Sequence, residues 1–234
     1  MVTIASKKNS NMQTGFWHNK WEKNQIGFHL SEANPLLIKY FSAVKLKQGS
    51  RIFLPLCGKS LDIAWLLALG YQVAGAELSA IAIDDLFRSL NLTPKITQKN
   101  TIMHYSALNI DVFVGDIFDV TPDILGKVDA IYDRAALVAL PVEIRKKYSA
   151  HLITLTERAE KSAPQLLISF EYDENLHAGP PFSVGADEVN AHYHANYDIT
   201  LLASEDVEGG LKGKCPAVEH IWLLKPLNLV ANTG

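Results

Sequence analysis

The 234 residues include 22 lysines and arginines against 25 aspartates and glutamates, a net charge of −3, with 48% hydrophobic and 20% charged positions. A chain of that size and make-up buries one α/β core, and with no basic block it offers little to nucleic acid or an anionic membrane. Cys57 and Cys215 fit neither a disulfide framework nor zinc spacing, and the longest apolar run, Ile63 to Leu69, is far too short to span a bilayer.

Residues 1 to 15 are polar and without periodicity, so a disordered tail is expected ahead of a single domain over 16–234. The tail lacks the apolar core of a secretory signal, which makes the cytoplasm the expected compartment; a monomer is expected. Trp17 and Trp21 stand at i and i+4 on one face of a short helix. Lying ahead of the first strand, they pack on the sheet edge or cover a crevice. Asn34 and Pro35 open a helix reaching about Val44.

Arg51 to Leu56 is an apolar run broken by Cys57-Gly58-Lys59-Ser60, and apolar residues return at Leu61, Ala64, Trp65 and Ala68 with helical spacing. Gly70 stops that helix, and Tyr71 to Gly75 forms a second buried strand ending at Glu77. Ser79 then caps a crossover helix over Ala80 to Leu90. A carboxylate about twenty residues beyond the first strand, at the tip of the second, is how doubly wound folds hold a ribose. The turn has one glycine, Gly58, where a pyrophosphate would need several. An adenosine ligand without phosphates, such as S-adenosylmethionine, therefore fits better than a dinucleotide.

Ile102 to Ala107 and Ile110 to Gly115 read as a hairpin whose second arm is a core strand. Asp116 follows at a strand end, where a polar side chain meets a ligand. Val128 to Tyr132 is the fourth strand and runs into Asp133-Arg134-Ala135-Ala136-Leu137. Arg134 there is either a ligand contact or one half of an ion pair with Asp133 or Glu77. Pro141 to Thr156 is a helix with its cations outward, and Gln165 to Tyr172 a fifth strand. His177 to Phe182 is a loop stiffened by two prolines. Ala186 to His194 is helical, Glu208 to Lys214 a flexible link between the strands at 199–204 and 217–224. His192 and His194, two apart on a helix, make no metal site.

The blocks Pro55-Leu56-Cys57-Gly58-Lys59-Ser60-Leu61-Asp62 and Ala74-Gly75-Ala76-Glu77-Leu78-Ser79 resemble the thiopurine S-methyltransferases, as do Phe16-Trp17 with Trp21, Gln25 to His29, and Gly179-Pro180-Pro181-Phe182. The resemblance implies a class I S-adenosylmethionine-dependent methyltransferase: a Rossmann-like, mostly parallel seven-stranded α/β sheet with a reversed last hairpin and helices on both faces. It implies S-adenosylmethionine as cofactor, S-adenosylhomocysteine as product, and cofactor contacts at Trp17, Trp21, Leu56, Gly58, Glu77, Asp116, Ile117 and Arg134. Substrate contacts follow at Phe28, Arg134 and Phe182, with Arg134 positioning the acceptor and no obligatory general base. Animal members carry an arginine near the C-terminal hairpin where this chain offers Lys212 and Lys214.

The activity expected is methyl transfer to aromatic or heterocyclic thiols such as thiopurines. Alternatives are selenium or tellurium oxyanions as acceptors, a nicotinamide-dependent oxidoreductase, which would also use Glu77, or a non-catalytic cofactor-binding module.

Overall fold

Ile52, Phe53 and Leu54 are all buried, and a strand without a polar face has to be covered on both sides. The computed structural model, which describes residues 15–157 and 161–227, places this strand, β1 (Arg51–Leu54), inside a nine-stranded sheet. The expected disordered tail lies outside the described residues except for Gly15, which opens a helix, α1, over 15–22. The other helices are α2 (Pro35–Tyr40), α3 (Asp62–Ala68), α4 (Ala80–Ser89), α5 (Pro122–Leu125), α6 (Val142–Thr156) and α7 (Ala186–Tyr193). The other strands are β2 (Gln72–Glu77), β3 (Lys95–Lys99), β4 (Ile102–Ala107), β5 (Ile110–Val114), β6 (Ala130–Arg134), β7 (Gln165–Tyr172), β8 (Tyr197–Asp206) and β9 (Ala217–Pro226).

Their order is β3-β4-β5-β2-β1-β6-β7-β9-β8. From β5 to β7 neighbours run parallel, and β9 is antiparallel to both β7 and β8. Those seven strands are the sheet the sequence implied. The count of seven is corrected to nine, because β3 and β4 extend the edge beyond β5 in antiparallel register. β4 and β5 form the expected hairpin. β3 carries no sequence signal, because Lys-Ile-Thr-Gln-Lys has one apolar residue and is largely exposed.

Successive residues of each strand feed opposite layers. Ile52, Val73, Tyr132, Ile168 and Ile221 pack with residues of α2, α3 and α4, whereas Phe53, Ala74, Ile131, Leu167 and Trp222 pack with residues of α6 and α7. Local signals place the helices: the Asn34 side chain accepts from Leu36 N and Leu37 N, and Ser79 Oγ accepts from Ala82 N.

Two sequence expectations fail locally. The α6 cations do not all face outward, because Arg145 is buried and makes a two-pronged pair with Glu188 of α7, at 2.6 and 2.9 Å. The link at 208–214 is a hydrogen-bonded turn, with Leu211 N donating to Cys215 O at 2.8 Å. Gly210, at φ +76, has the Cys215 carbonyl oxygen 2.6 Å from where a Cβ would sit, so a side chain there has no room. Among the described residues no helix is long and apolar enough to cross a membrane.

Candidate functional site

The helix after β1 packs on one layer and α6, after β6, on the other. Adjacent parallel strands whose helices part in this way leave a crevice outside their carboxyl ends, where ligands of such sheets bind. Leu56 (φ 46) and Ala135 (φ 59), at the tips of these two strands, hold left-handed backbone; the other described non-glycine residues doing so are Asn and Lys. Branched or methyl side chains resist that conformation by roughly 1–2 kcal/mol, and such strain gathers at ligand sites.

Glu77 ends β2 on the rim of this crevice and is 6% exposed. One carboxylate oxygen accepts from Gly58 N and the other from Ser79 N, both at 2.9 Å. Burial pushes its pKa up, and the backbone N–H groups of Ser79, Gly58 and Leu78 oppose the rise. Each oxygen keeps a lone pair for a further donor. The buried carboxylate is thus held in place and able to accept hydroxyl hydrogen bonds from a ribose.

Gly58 carries more than the turn. At φ +51, a Cβ there would lie 3.0 Å from the ring of Trp21, which is itself buried. α1 therefore lays an indole directly over the loop that braces Glu77. Gly58→Ala is expected to lower stability by about 1–2 kcal/mol from backbone strain alone, with the Trp21 ring displaced. Thermal unfolding together with tryptophan fluorescence checks this, and an unchanged midpoint with an unchanged spectrum contradicts it.

The N-terminal aromatic residues pack as a cover. Phe28 makes edge-to-face contacts with Trp17 at 5.7 Å and Trp21 at 5.4 Å between centroids. The Phe28 carbonyl accepts from Arg134 Nη1 at 3.3 Å, which joins this cover to the tip of β6.

The ion pairs weighed for Arg134 are not formed. Glu77 is engaged as described, and Asp133 points to the other layer, accepting from Leu137 N at 3.0 Å and Tyr148 Oη at 2.8 Å. Adjacent residues of a strand face opposite ways, so the sequence neighbour is the wrong place to look. Burial raises the Asp133 pKa from 3.8 to about 6, against the pull of the Leu137 N–H and the Tyr148 hydroxyl. With its folded pKa above the unfolded one, this group favours the fold below about pH 4, and that contribution disappears as pH rises through about 6. The stability of Asp133→Asn relative to the native chain should therefore climb between pH 4 and 7. Parallel profiles of unfolding midpoint against pH would contradict this.

Asp116 and Ile117 follow β5, the neighbour of β2, and Gly115 N donates to the Glu77 carbonyl at 2.9 Å. Asp116 caps the 3-10 turn Ile117–Asp119 through Phe118 N, and His151 Nε2 bonds the Ile117 carbonyl at 2.8 Å. Both residues are consequently fixed beside Glu77. Phe182 is tied to the segment after β6 by its N–H to the Val138 carbonyl at 2.6 Å, and the Arg145 guanidinium lies 5.6 Å from its ring centroid. Lys212 Nζ donates to the Pro180 carbonyl of the same loop at 2.5 Å. Burial, then Lys214 and Lys20, push the Lys212 pKa down, so three cations from the cover and the last hairpin share one field.

Burial and then Glu77 push the Cys57 thiol well above its ordinary pKa, which disfavours the thiolate. Its sulfur fills the space a side chain at Gly75 would need, 2.8 Å from that Cβ position. Among the described residues no group of three or more His, Cys, Asp or Glu side chains is placed to hold a metal ion. His192 bonds Glu188 and His194 the Asn190 carbonyl.

A sheet with this order and an antiparallel last pair is shared, as a fold, with an S-adenosylmethionine-dependent methyltransferase of Anabaena variabilis, which superposes with a TM-score of 0.58 at 14% identity, covering 91% of this chain and 95% of that one. The family model for thiopurine S-methyltransferase matches residues 12–221. A thiopurine S-methyltransferase of Xanthobacter autotrophicus is 51% identical over 215 residues, 92% of this chain and 99% of its own. One from Acinetobacter baylyi is 46% identical over 218 residues, 91% and 98% of the two chains. The chain belongs to the thiopurine S-methyltransferase family.

Among solved structures, the 1,6-didemethyltoxoflavin-N1-methyltransferase of Burkholderia thailandensis superposes with a TM-score of 0.63 at 12% identity, covering 96% of this chain and 92% of that one. That likeness is one of fold. The nicotinamide alternative is set aside by family and topology together, since a dinucleotide sheet continues in parallel where β9 here is reversed.

Proposed function

We propose that this protein moves a methyl group from S-adenosylmethionine to the sulfur of a small aromatic or heterocyclic thiol, with thiopurines within its range. The observation that carries the reading is Arg134. Its guanidinium stands at a strand tip beside the crevice, bound to the Phe28 carbonyl and turned away from Asp133. A planar cation bordered by aromatic surface suits a flat anionic thiolate.

The residues fit the cofactor. Glu77 accepts the ribose hydroxyls, the segment of Asp116 and Ile117 borders the adenine, and Leu56 with Gly58 forms the floor of the loop. Trp17 and Trp21 close over the donor, where aromatic faces also favour a sulfonium. When bound, S-adenosylmethionine would supply an electrophilic sulfonium methyl carbon to an in-line thiolate, with S-adenosylhomocysteine as the leaving group.

Phe28 and Phe182 act as apolar walls for the acceptor while Arg134 aligns its sulfur. A thiol already ionised at neutral pH needs no proton removed by the protein, so alignment is the main task. The test is a series of thiophenols of graded acidity. For each, the rate should rise with pH up to the acceptor's own pKa and then level. A rise common to all acceptors, at one fixed pH, would instead reveal an obligatory base in the protein.

A further inference from the structure

Across the sheet from Arg134 stands a carboxylate outside the sequence motifs. Arg134 pairs with Ile168 of β7, and Ile168 with Ile221 of β9. Paired residues share a face, and Ile168 and Ile221 both pack in the α2–α4 layer. Glu219 lies two residues from Ile221, so it returns to that same face one pleat nearer the carboxyl end of β6. Two strand spacings of ~4.8 Å and one two-residue step of ~6.8 Å separate the backbones, and across that distance the two side chains make no direct ion pair but act on each other through space.

On the far side Glu219 is directly opposite Glu205 of β8. Glu205 has its own partners on α2, Lys39 Nζ at 2.6 Å and Tyr40 Oη at 2.9 Å. Burial raises the Glu219 pKa, Arg134 draws it back down and Glu205 adds to the rise. A half-buried carboxylate opposite a like charge is unfavourable for stability alone.

We propose that Glu219 is a positioning residue that orients the Arg134 guanidinium toward the acceptor. The proposal rests on the acceptor role given to Arg134 above. Without Glu219 the cation is misdirected but still present, so turnover suffers while attraction for an anionic acceptor does not.

The test compares Glu219→Gln and Glu219→Ala with the native enzyme and with Arg134→Ala. Expected are a roughly tenfold fall in kcat with KM unchanged or lower, and no further fall when Glu219→Ala is added to Arg134→Ala. The unfolding midpoint should hold or rise, because a repulsion across β8 and β9 is removed. Unchanged kcat, additive losses, or a lowered midpoint in both variants overturns the assignment. The NMR signal of the Arg134 Nε–H gives a reading that needs no turnover. Should the native enzyme transfer methyl to no thiol, the functional reading fails by itself. A shift of that signal in Glu219→Gln then still supports the coupling, and an unmoved signal refutes it.

Discussion

Replacing Glu77 by alanine is expected to weaken S-adenosylhomocysteine binding by about 1–3 kcal/mol, which is roughly fivefold to beyond a hundredfold in Kd. The loss has two sources. A buried carboxylate that accepts from ribose hydroxyls is removed, and the N–H groups of Gly58 and Ser79 lose the acceptor that fixes the loop. Because Trp21 rests on Gly58, a loosened loop also loosens the cover. Calorimetric titration of the folded variant measures the effect. Undiminished affinity removes Glu77 from the cofactor site.

Replacing Arg134 by alanine is expected to act on the other half of the reaction, lowering kcat/KM for a thiol by about 2 kcal/mol, or roughly thirtyfold, with S-adenosylhomocysteine affinity nearly intact. The guanidinium donates to the Phe28 carbonyl, so the substitution also frees one tether of the aromatic cover. That tether is a single, long bond from a charged donor, worth about 1–2 kcal/mol. Kinetics and titration on the same preparation separate the roles. Equal losses of cofactor affinity and turnover would make Arg134 a structural residue.

The parts of this protein legible in its sequence are those governed by local pattern. A doubly buried strand at 51–54, a helix at apolar spacing after Gly58 and a carboxylate at 77 follow from periodicity and turn chemistry, and they fix the crevice. The caps at Asn34 and Ser79 are equally local. Hidden were features decided by pairing across the sheet. β3 is a polar edge strand with nothing in Lys95–Lys99 to mark it. Arg145 is buried because Glu188, on a different helix, reaches it.

The same distinction runs through the site. Adjacency in the chain suggests Asp133 as a partner for Arg134, yet adjacency in a strand sends the two to opposite layers. Glu219 is 85 residues from Arg134 in the chain, and only the register of β6, β7 and β9 puts them on one face.

The reading of this crevice as a thiol methyltransferase site is tested most directly by S-adenosylhomocysteine release from S-adenosylmethionine in the presence of 6-mercaptopurine, against a control without acceptor. The account predicts release that requires the thiol and saturates with it. Release at the acceptor-free rate, from protein shown by titration to bind S-adenosylhomocysteine, would contradict it and turn the question to selenium or tellurium oxyanions as the acceptor.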